Sequence, residues 1–268
     1  MAPVSPGEAL GAAYRFQTRI GQGAFGEVWT AVDTRTGNTV AAKLLRPEHA
    51  ANRDLVARFV TERSVLIGLR HPAIVAVRDL VVEGDRLAIV MDYVDGGSVR
   101  ELLDASGTLA PATAAQIARH VLLGLATAHE HQVLHRDIKP DNVLLTTDWE
   151  QFSPAAVRLT DFGIARLVTE GSTGTRGLIG TPEYMSPEML TAGHCSYPAD
   201  VYSTGVLLYE LLAGRTPFAG PGTDYAIAQR HVTQPPEPLP VPAPLWEVLA
   251  RMLDKSPERR PAAAEAAA

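Results

Sequence analysis

The segment 135–142, with the sequence HRDIKPDN, carries three polar side chains of different chemistry at close spacing. The carboxylate of Asp137 can accept a proton from a hydroxyl group, and the ammonium of Lys139 can balance the charge of a phosphoryl group during its transfer. The carboxamide of Asn142 offers an oxygen ligand that suits Mg²⁺. Together the three groups indicate phosphoryl transfer from a nucleotide. The alternative is a polar turn between two apolar segments, and the segment alone does not exclude it.

Three glycines, at positions 21, 23 and 26, could contact phosphates, since they have the spacing G-x-G-x-x-G. The same spacing marks turns that bind dinucleotides, but those turns open a helix. Here residues 27–32 alternate and are rich in β-forming side chains, and a turn at 36–38 leads into a strand at 39–44. The glycines are therefore predicted to lie in a hairpin, where backbone amides can approach phosphates without side-chain obstruction. No Gly-Lys-Ser/Thr follows, which excludes a Walker A loop.

A single lysine, Lys43, lies near the end of the apolar strand at 39–44. An exposed lysine at the edge of a sheet is the common alternative, but its apolar neighbours favour a buried ammonium beside a carboxylate. The following segment, 52–69, has apolar residues at helical spacing and contains Glu62 as a candidate partner. The predicted helix ends before Pro72, because the residue that precedes a proline disfavours helical geometry.

The chain of 268 residues is long enough for one large domain or for two lobes that share a cleft. Its net charge of −6 gives no indication of a nucleic-acid surface. No apolar run reaches the roughly 18 residues of a membrane helix. The single cysteine, Cys195, excludes an internal disulfide, which fits a reducing compartment. Residues 1–13 lack the features of a signal peptide and are predicted to be a flexible leader.

Taken in order, these motifs resemble those of the eukaryotic-type (Hanks-type) serine/threonine protein kinases, in particular the bacterial branch. The resemblance covers roughly residues 14–261 and depends on the order of the motifs more than on any one of them. Four further groups downstream contribute to it: Asp161-Phe162-Gly163, Gly180-Thr181-Pro182-Glu183-Tyr184, Ser186-Pro187-Glu188 and Asp200-Val201-Tyr202-Ser203-Thr204-Gly205.

The resemblance implies a role for each polar residue of the centre. Four residues would be catalytic: Asp137, Lys139, Lys43 and Glu62. Asp137 would be the catalytic base, and Lys43 would hold the α- and β-phosphates while it pairs with Glu62. Asn142 and Asp161 would be the metal ligands. The implied cofactors are ATP and Mg²⁺, with Mn²⁺ as an alternative ion.

The resemblance also implies the surroundings of the nucleotide. Main-chain groups of Asp92 and Val94 would bond adenine at a hinge, with Met91 as the gatekeeper. The apolar residues around the purine suit a pocket that needs flat hydrophobic walls. The complete set of nucleotide-binding residues would be Ile20, Gly21, Gln22, Gly23, Ala24, Phe25, Gly26, Val28, Ala41, Lys43, Met91, Asp92, Val94 and Leu144.

The segment 164–180 is rich in hydroxyl groups and glycine, which suits a loop that changes between disorder and order. We expect autophosphorylation at Thr173 and Thr175. Arg136, which precedes the catalytic aspartate, would then bind the new phosphate. An unmodified flexible loop is the alternative.

Three contacts are predicted in the second half of the chain. By resemblance, Thr181 and Pro182 would dock the substrate, and Lys139 with Thr181 would favour serine and threonine over tyrosine as acceptors. Asp200 would accept hydrogen bonds from backbone amides of the catalytic segment. Glu188 and Arg260 would form an ion pair; two solvated charges are the alternative.

The implied fold is α+β, with the two lobes of the protein kinases. A small β-rich lobe would span about 14–91, a hinge 92–97, and a larger, mostly helical lobe about 98–268. The last helix stops abruptly and is interpreted as truncated. The connection at 146–156 is longer than is usual in the family and is predicted to be an extended hairpin loop.

The leading interpretation is an ATP-dependent serine/threonine protein kinase of the cytoplasm, tethered to a membrane if a longer parent chain carries an anchor. Its partners would be proteins with serine or threonine acceptors and a second copy of itself, for autophosphorylation in trans and as a homodimer. Neither nucleic acid nor a membrane segment within this chain is expected. A pseudokinase and a small-molecule phosphotransferase are the alternatives. The complete catalytic set disfavours the first, and the peptide-docking motif at 180–188 disfavours the second.

Overall fold

The computed structural model describes residues 4–23, 26–47, 56–57, 64–84, 86–162 and 182–268. These residues form two compact units. The first contains the described residues up to His71 together with Val75–Val94, and the second contains Pro72–Ile74 and the described residues from Asp95 onwards. The division after Val94 falls inside the segment predicted as the hinge.

The first unit is built on an antiparallel sheet of six strands. The strands are β1 (Ala9–Leu10), β2 (Tyr14–Gly23), β3 (Gly26–Asp33), β4 (Thr39–Leu45), β5 (Val77–Glu83) and β6 (Arg86–Asp92). They lie in the order β1-β2-β3-β4-β6-β5. The hairpin predicted for the glycines is confirmed, since β2 pairs with β3 and Gly23 lies opposite Gly26.

The register of this sheet separates two sets of side chains. Val28 lies opposite Lys43, and Ala41 lies opposite Met91. Residues that lie opposite each other, or two apart on one strand, share a face, so these four side chains belong to the same face. Neighbouring positions on the other face form an apolar core: Val4, Leu10, Tyr14, Phe16, Trp29, Ala31, Val40, Ala42, Leu44, Ala88 and Val90.

The N-terminal residues contribute to that core, so the prediction of a flexible leader over 1–13 is wrong for the described residues 4–13. Val4 and Leu10 are buried, and β1 pairs with β2 at the edge of the sheet. The Glu8 carboxylate accepts a hydrogen bond from Arg86 at 2.6 Å. Residues 4–13 are therefore held to the sheet by the burial of Val4 and Leu10, by strand pairing and by the contact between Glu8 and Arg86.

The connection between β4 and β5 is described only in part. Residues 56–57 and 64–68 are helical, in agreement with the predicted helix at 52–69. Glu62, its candidate acidic residue, lies outside the described residues. The strand predicted to begin at Ile74 begins instead at Val77, because Ile74 forms a bridge with Leu159 in the second unit.

The second unit is mostly helical. Its helices are α1 (Val99–Ser106), α2 (Pro111–Glu130), α3 (Pro187–Ala192), α4 (Tyr197–Ala213), α5 (Asp224–Thr233), α6 (Ala243–Met252) and α7 (Ala263–Ala267). α4 is buried throughout Ala199–Leu211. Its four polar side chains in this stretch, Asp200, Ser203, Thr204 and Glu210, all form hydrogen bonds within the protein. None of the helices in the described residues is long and apolar enough to cross a membrane.

A two-stranded antiparallel sheet completes the second unit. β7 (Val143–Leu145) pairs with β8 (Val157–Leu159). The hairpin predicted for the connection at 146–156 is confirmed: the Thr146 amide donates to the Ala156 carbonyl at 3.0 Å. The connection also contains a 3₁₀ turn, Trp149–Gln151.

Candidate active site

The carboxylate of Asp137 is held by two neighbours from its own segment. Lys139 Nζ lies 3.0 and 3.2 Å from its two oxygens. Asn142 Nδ2 donates to Asp137 Oδ2 at 3.0 Å and to the Asp137 carbonyl at 2.7 Å. The cation lowers the energy of the ionised carboxylate, and the amide fixes its orientation. Asp137 is therefore presented as a rigid anionic acceptor for a hydrogen bond or a proton.

The main chain beside Asp137 is fixed by Asp200, as predicted. The amides of His135 and Arg136 donate to the two Asp200 oxygens, each at 2.9 Å, and His129 Nε2 donates to Oδ2 at 2.9 Å. Asp200 lies in the first turn of α4 and is 2% exposed. Three donors are thus directed at one buried carboxylate, which would be unfavourable without them.

The His135 ring connects the Asp137 segment to β8. Its Nε2 lies 2.7 Å from the Thr160 carbonyl, and its Nδ1 lies 3.3 Å from the Asp137 amide. Since a carbonyl only accepts and an amide only donates, the ring with hydrogen on Nε2 satisfies both contacts. The ring also packs edge-on against Phe162, with centroids 4.7 Å apart.

Two residues of the site have left-handed backbone conformations that side chains rarely adopt. Arg136 has a φ of 70° and Asp161 a φ of 68°. Such conformations cost free energy and persist where the surrounding contacts impose them, commonly at functional sites. Arg136 directly follows His135 and Asp161 directly follows Thr160, so both residues adjoin the hydrogen bond between His135 and Thr160.

The β7–β8 sheet brings the two candidate metal ligands to the same end. Val143 pairs with Leu159, and the Thr160 amide donates to the Asn142 carbonyl at 2.9 Å, so Asn142 and Asp161 adjoin the last ladder contact. Asn142 uses its Nδ2 on Asp137, which leaves Oδ1 for a metal. A carboxylate and a carboxamide oxygen fit Mg²⁺, which usually keeps several water ligands. No cluster of three His, Cys, Asp or Glu residues exists among the described residues, so they contain no all-protein metal cage.

In the first unit, Lys43 lies on the sheet face that carries Val28, Ala41 and Met91. Lys43 is 8% exposed on a central strand, which excludes the edge-lysine alternative. Ala41 and Met91 are also buried, whereas Ile20 is 49% exposed. Asp92 ends β6 and forms an ion pair with Arg78 at 2.6 Å.

The remaining predicted residues have the following positions. Gly21, Gln22 and Gly23 lie on β2, Gly26 and Val28 on β3, Val94 at the end of the first unit, Leu144 on β7, and Pro182 in a buried 3₁₀ turn. Ala24, Phe25, Glu62, Thr173, Thr175 and Thr181 lie outside the described residues. The described residues of the predicted site are thus divided between the two units.

Gly26 is the glycine of this hairpin whose replacement should matter most. Its φ is 149°, and a Cβ would lie 1.9 Å from the Leu44 carbonyl oxygen. Because that atom belongs to the backbone of β4, Gly26→Ala must separate β3 from β4. We expect a loss of about 3 kcal/mol in the free energy of unfolding, measured with urea. Gly23→Ala is the control, since a Cβ there meets nothing within 4 Å; equal losses would contradict the argument.

Glu188 and Arg260 form the predicted ion pair. The two guanidinium nitrogens Nη1 and Nη2 donate to the two carboxylate oxygens at 2.7 and 2.8 Å. The Arg260 side chain is fully buried. Burial alone would raise the pKa of Glu188, but the hydrogen bonds from Arg260 hold it below the ordinary value. The alternative of two solvated charges is therefore wrong.

A third ionic cluster was not found from the sequence. Arg100 donates to Glu210 at 3.0 Å and to the Tyr184 hydroxyl at 2.9 Å, and that hydroxyl also donates to Glu210. Burial, followed by the contact with Glu210, raises the pKa of Tyr184. The cluster ties α1 and α4 to the turn that contains Pro182. Its members are 110 and 84 residues apart, so no local spacing could indicate it.

Comparison with known proteins agrees with this geometry. The protein kinase domain family matches residues 14–268. The chain is 43% identical over 267 residues to serine/threonine-protein kinase PkaA of Streptomyces coelicolor, covering 95% of this chain and 48% of the relative. It is 43% identical to PkaB of the same organism (97% and 62% covered) and 36% identical to PknA of Mycobacterium tuberculosis (95% and 59% covered). The chain thus spans about half to three fifths of these relatives.

A solved structure supports the fold. The crystal structure of Rad53 1–466 in complex with AMP-PNP matches with a TM-score of 0.75 and 28% sequence identity, over 93% of this chain and 62% of that chain. The β-rich first unit and the helical second unit are those expected of this fold. The chain therefore belongs to the protein kinase family, in its bacterial serine/threonine (Hanks-type) branch.

Proposed function

We propose that this chain transfers the γ-phosphoryl group of ATP to serine and threonine hydroxyls of proteins. The observation that carries the proposal is the Asp137 carboxylate, held by Lys139 and Asn142 and anchored through the main chain to Asp200. The names of the relatives support the acceptor class. We further propose that the domain acts in the cytoplasm, whether or not a longer chain tethers it to a membrane.

In the proposed reaction, Asp137 orients the acceptor hydroxyl and finally accepts its proton. A bond forms between the hydroxyl oxygen and the γ-phosphorus, and the bond from that phosphorus to the bridging oxygen of ADP breaks. Lys139, 3.0 Å from Asp137, lies where it can balance charge on the phosphoryl group in transit. Catalysis then comes mainly from positioning and from charge stabilisation.

The proposed metal ligands are Asn142 Oδ1 and the Asp161 carboxylate. Mg²⁺, or Mn²⁺ in its place, would supply positive charge to the phosphate oxygens when bound. Asp137 and Asn142 are coupled, because Asn142 Nδ2 donates to the carboxylate and to the carbonyl of Asp137, and the proposed ligand Oδ1 belongs to the same carboxamide. Replacement of Asn142 should therefore disturb both the orientation of the Asp137 carboxylate and the binding of the metal ion.

The proposed nucleotide site of the first unit uses the face that carries Lys43. Lys43 would hold the α- and β-phosphates and pair with Glu62, and the glycine hairpin would cover the phosphates. Ile20, Val28, Ala41 and Leu144 are the apolar residues that we propose for contact with the purine. Main-chain groups of Asp92 and Val94 would bond its edge beside Met91.

Labelled ATP and a generic basic protein test the proposal directly. We expect transfer to serine and threonine, none after removal of divalent ions by a chelator, and recovery on addition of Mg²⁺ or Mn²⁺. Nucleotide binding without transfer would reject the proposal and would instead indicate a binding module. Transfer to a small molecule but to no protein would also reject it.

We propose that Thr181 and Pro182 dock the acceptor segment. Pro182 is buried, and the turn Pro182–Tyr184 is held at Tyr184 by the Arg100 and Glu210 contacts. A rigid, shallow docking turn would favour short hydroxyl side chains over tyrosine.

We also propose activation by autophosphorylation at Thr173 and Thr175, with Arg136 as the cation that binds the phosphate. The reaction would occur in trans, within a homodimer. After incubation with ATP, mass spectrometry should find phosphate at these threonines. The inactive variant Asp137→Asn, mixed with active chain, should be phosphorylated there as well. Phosphate confined to other positions would refute the assignment, and phosphate absent from the inactive variant would refute the trans mechanism.

A further inference from the structure

The second unit contains a cavity that the proposed reaction does not use. Its volume is about 540 Å³. It lies between the C-terminal end of α2, the first turn of α4, the 3₁₀ turn Pro257–Arg259 and the start of α7. Most of the wall is apolar, with Ala126, Pro198 and Val201 among the lining residues. A cavity of this size with apolar walls is typical of sites for small organic ligands.

The cation that lines the cavity is not available to a ligand. Arg260 Nε donates to the Asp254 carbonyl. Its other nitrogens donate to the Glu188 carboxylate and to the carbonyls of Pro198 and Lys255. All five guanidinium hydrogens are thus used within the protein. The cavity therefore offers no donor of this kind to an anion.

The groups that remain favour a positively charged ligand. Glu130 and Glu258 line the cavity and are exposed, and neither has an ion-pair partner among the described residues. The His129 ring also lines it and packs against Tyr197, with centroids 4.7 Å apart. His129 Nε2 is directed at Asp200, which leaves Nδ1 as an acceptor on the same ring.

We propose that this cavity, which we call the α2–α4 cavity, binds an organic ammonium ion: a protonated amine carried on a small apolar body. The body would lie among Ala126, Pro198 and Val201. The ammonium would interact with the carboxylates of Glu130 and Glu258. The assignment follows from charge complementarity, because the charged groups that remain available in the lining, Glu130 and Glu258, are both carboxylates.

The α2–α4 cavity is connected to the catalytic segment by hydrogen bonds through His129 and Asp200. His129 contacts the Asp200 carboxylate, and the same carboxylate holds the amides of His135 and Arg136. A ligand that moves the His129 ring changes the number of donors on Asp200. The hydrogen bonds from Asp200 to the amides of His135 and Arg136, which lie beside Asp137, then change as well. The cavity is therefore an effector site for the catalytic segment.

Titration of the ¹⁵N-labelled chain without nucleotide tests both parts, and it does not depend on kinase activity. The probe is phenethylammonium, and 2-phenylethanol is the neutral control of the same shape. We expect the amine to shift the amide resonances of His129, His135 and Arg136, and the alcohol to bind at least about tenfold more weakly. Failure of the amine to bind, or equal binding of the alcohol, overturns the proposal.

Variants locate the site. Glu130→Gln with Glu258→Gln should weaken binding of the amine by about tenfold and leave that of the alcohol unchanged. Glu247→Gln, an exposed carboxylate on α6, should change neither. Ala264→Trp should block both probes, because Ala264 is exposed and lines the cavity. Undiminished binding to either cavity variant overturns the location. Shifts at His129 without shifts at His135 and Arg136 overturn the coupling.

Discussion

Asp137→Asn should lower the rate of phosphoryl transfer by about 10²–10⁴-fold while ATP affinity stays within about twofold. A carboxamide cannot accept the hydroxyl proton, and it removes the negative charge that Lys139 faces at 3.0 Å. The main-chain contacts to Asp200 and from Asn142 are kept, so the segment should hold its shape. Turnover with saturating ATP, together with calorimetric ATP binding, separates these effects.

Asp141→Asn is the matched control, since it makes the same change four residues further along. The Asp141 side chain is 54% exposed, and among the described residues its ion-pair partner is Arg100, whose Nε lies 3.8 Å from Asp141 Oδ2. Its replacement should change turnover by less than about threefold. If both variants lost activity equally, the loss would come from the net charge of the segment and not from the position of the Asp137 carboxylate. If Asp137→Asn kept a tenth or more of the activity, its role as the base would be rejected.

The sequence indicates most directly those parts of the candidate site whose residues lie close together in the chain. Asp137 and its two neighbours lie within a few residues, so their contacts depend on one local turn. The hairpin of β2 and β3 is predicted by alternation and by its glycines. Asp200 and the pair Glu188–Arg260 are distant in sequence, and they could be predicted only because the motif order resembles a known family.

The contacts that the sequence does not predict join residues that are distant in the chain and become neighbours only in the tertiary structure. Arg100, Tyr184 and Glu210 each look like ordinary residues of a helix or loop, and only the tertiary fold brings α1, α4 and the turn Pro182–Tyr184 within reach of one another. His129 reaches Asp200 because α2 packs against α4. The N-terminal strap was missed because residues 1–13 contain few large apolar side chains. Its stability comes from the apolar sheet face that covers Val4 and Leu10, which local composition does not indicate.

Arg260→Met should lower the free energy of unfolding by about 3–5 kcal/mol at neutral pH. The variant keeps the aliphatic part of the side chain but leaves the Glu188 carboxylate with no cation, in a site where it is 13% exposed. It also removes the donors to the Asp254 and Pro198 carbonyls. Arg259→Met is the matched control, because Arg259 is exposed and should contribute less than about 0.5 kcal/mol. If Arg260→Met lowered the free energy of unfolding by less than about 1 kcal/mol, water would be able to replace the contacts of Arg260 at little cost.

Acid should remove the contribution of this pair. The folded-state pKa of Glu188 lies below its ordinary value of 4.5, so the unfolded chain takes up the proton first as the pH falls. The stabilisation is therefore complete above about pH 4.5 and is lost as the pH falls through the folded-state value. Glu188→Gln keeps the shape of the side chain but cannot titrate. Urea unfolding of the native chain and of Glu188→Gln between pH 7 and pH 3 should show a stability difference that shrinks in acid. A difference that stayed constant across this range would show that the charge of Glu188 does not stabilise the fold.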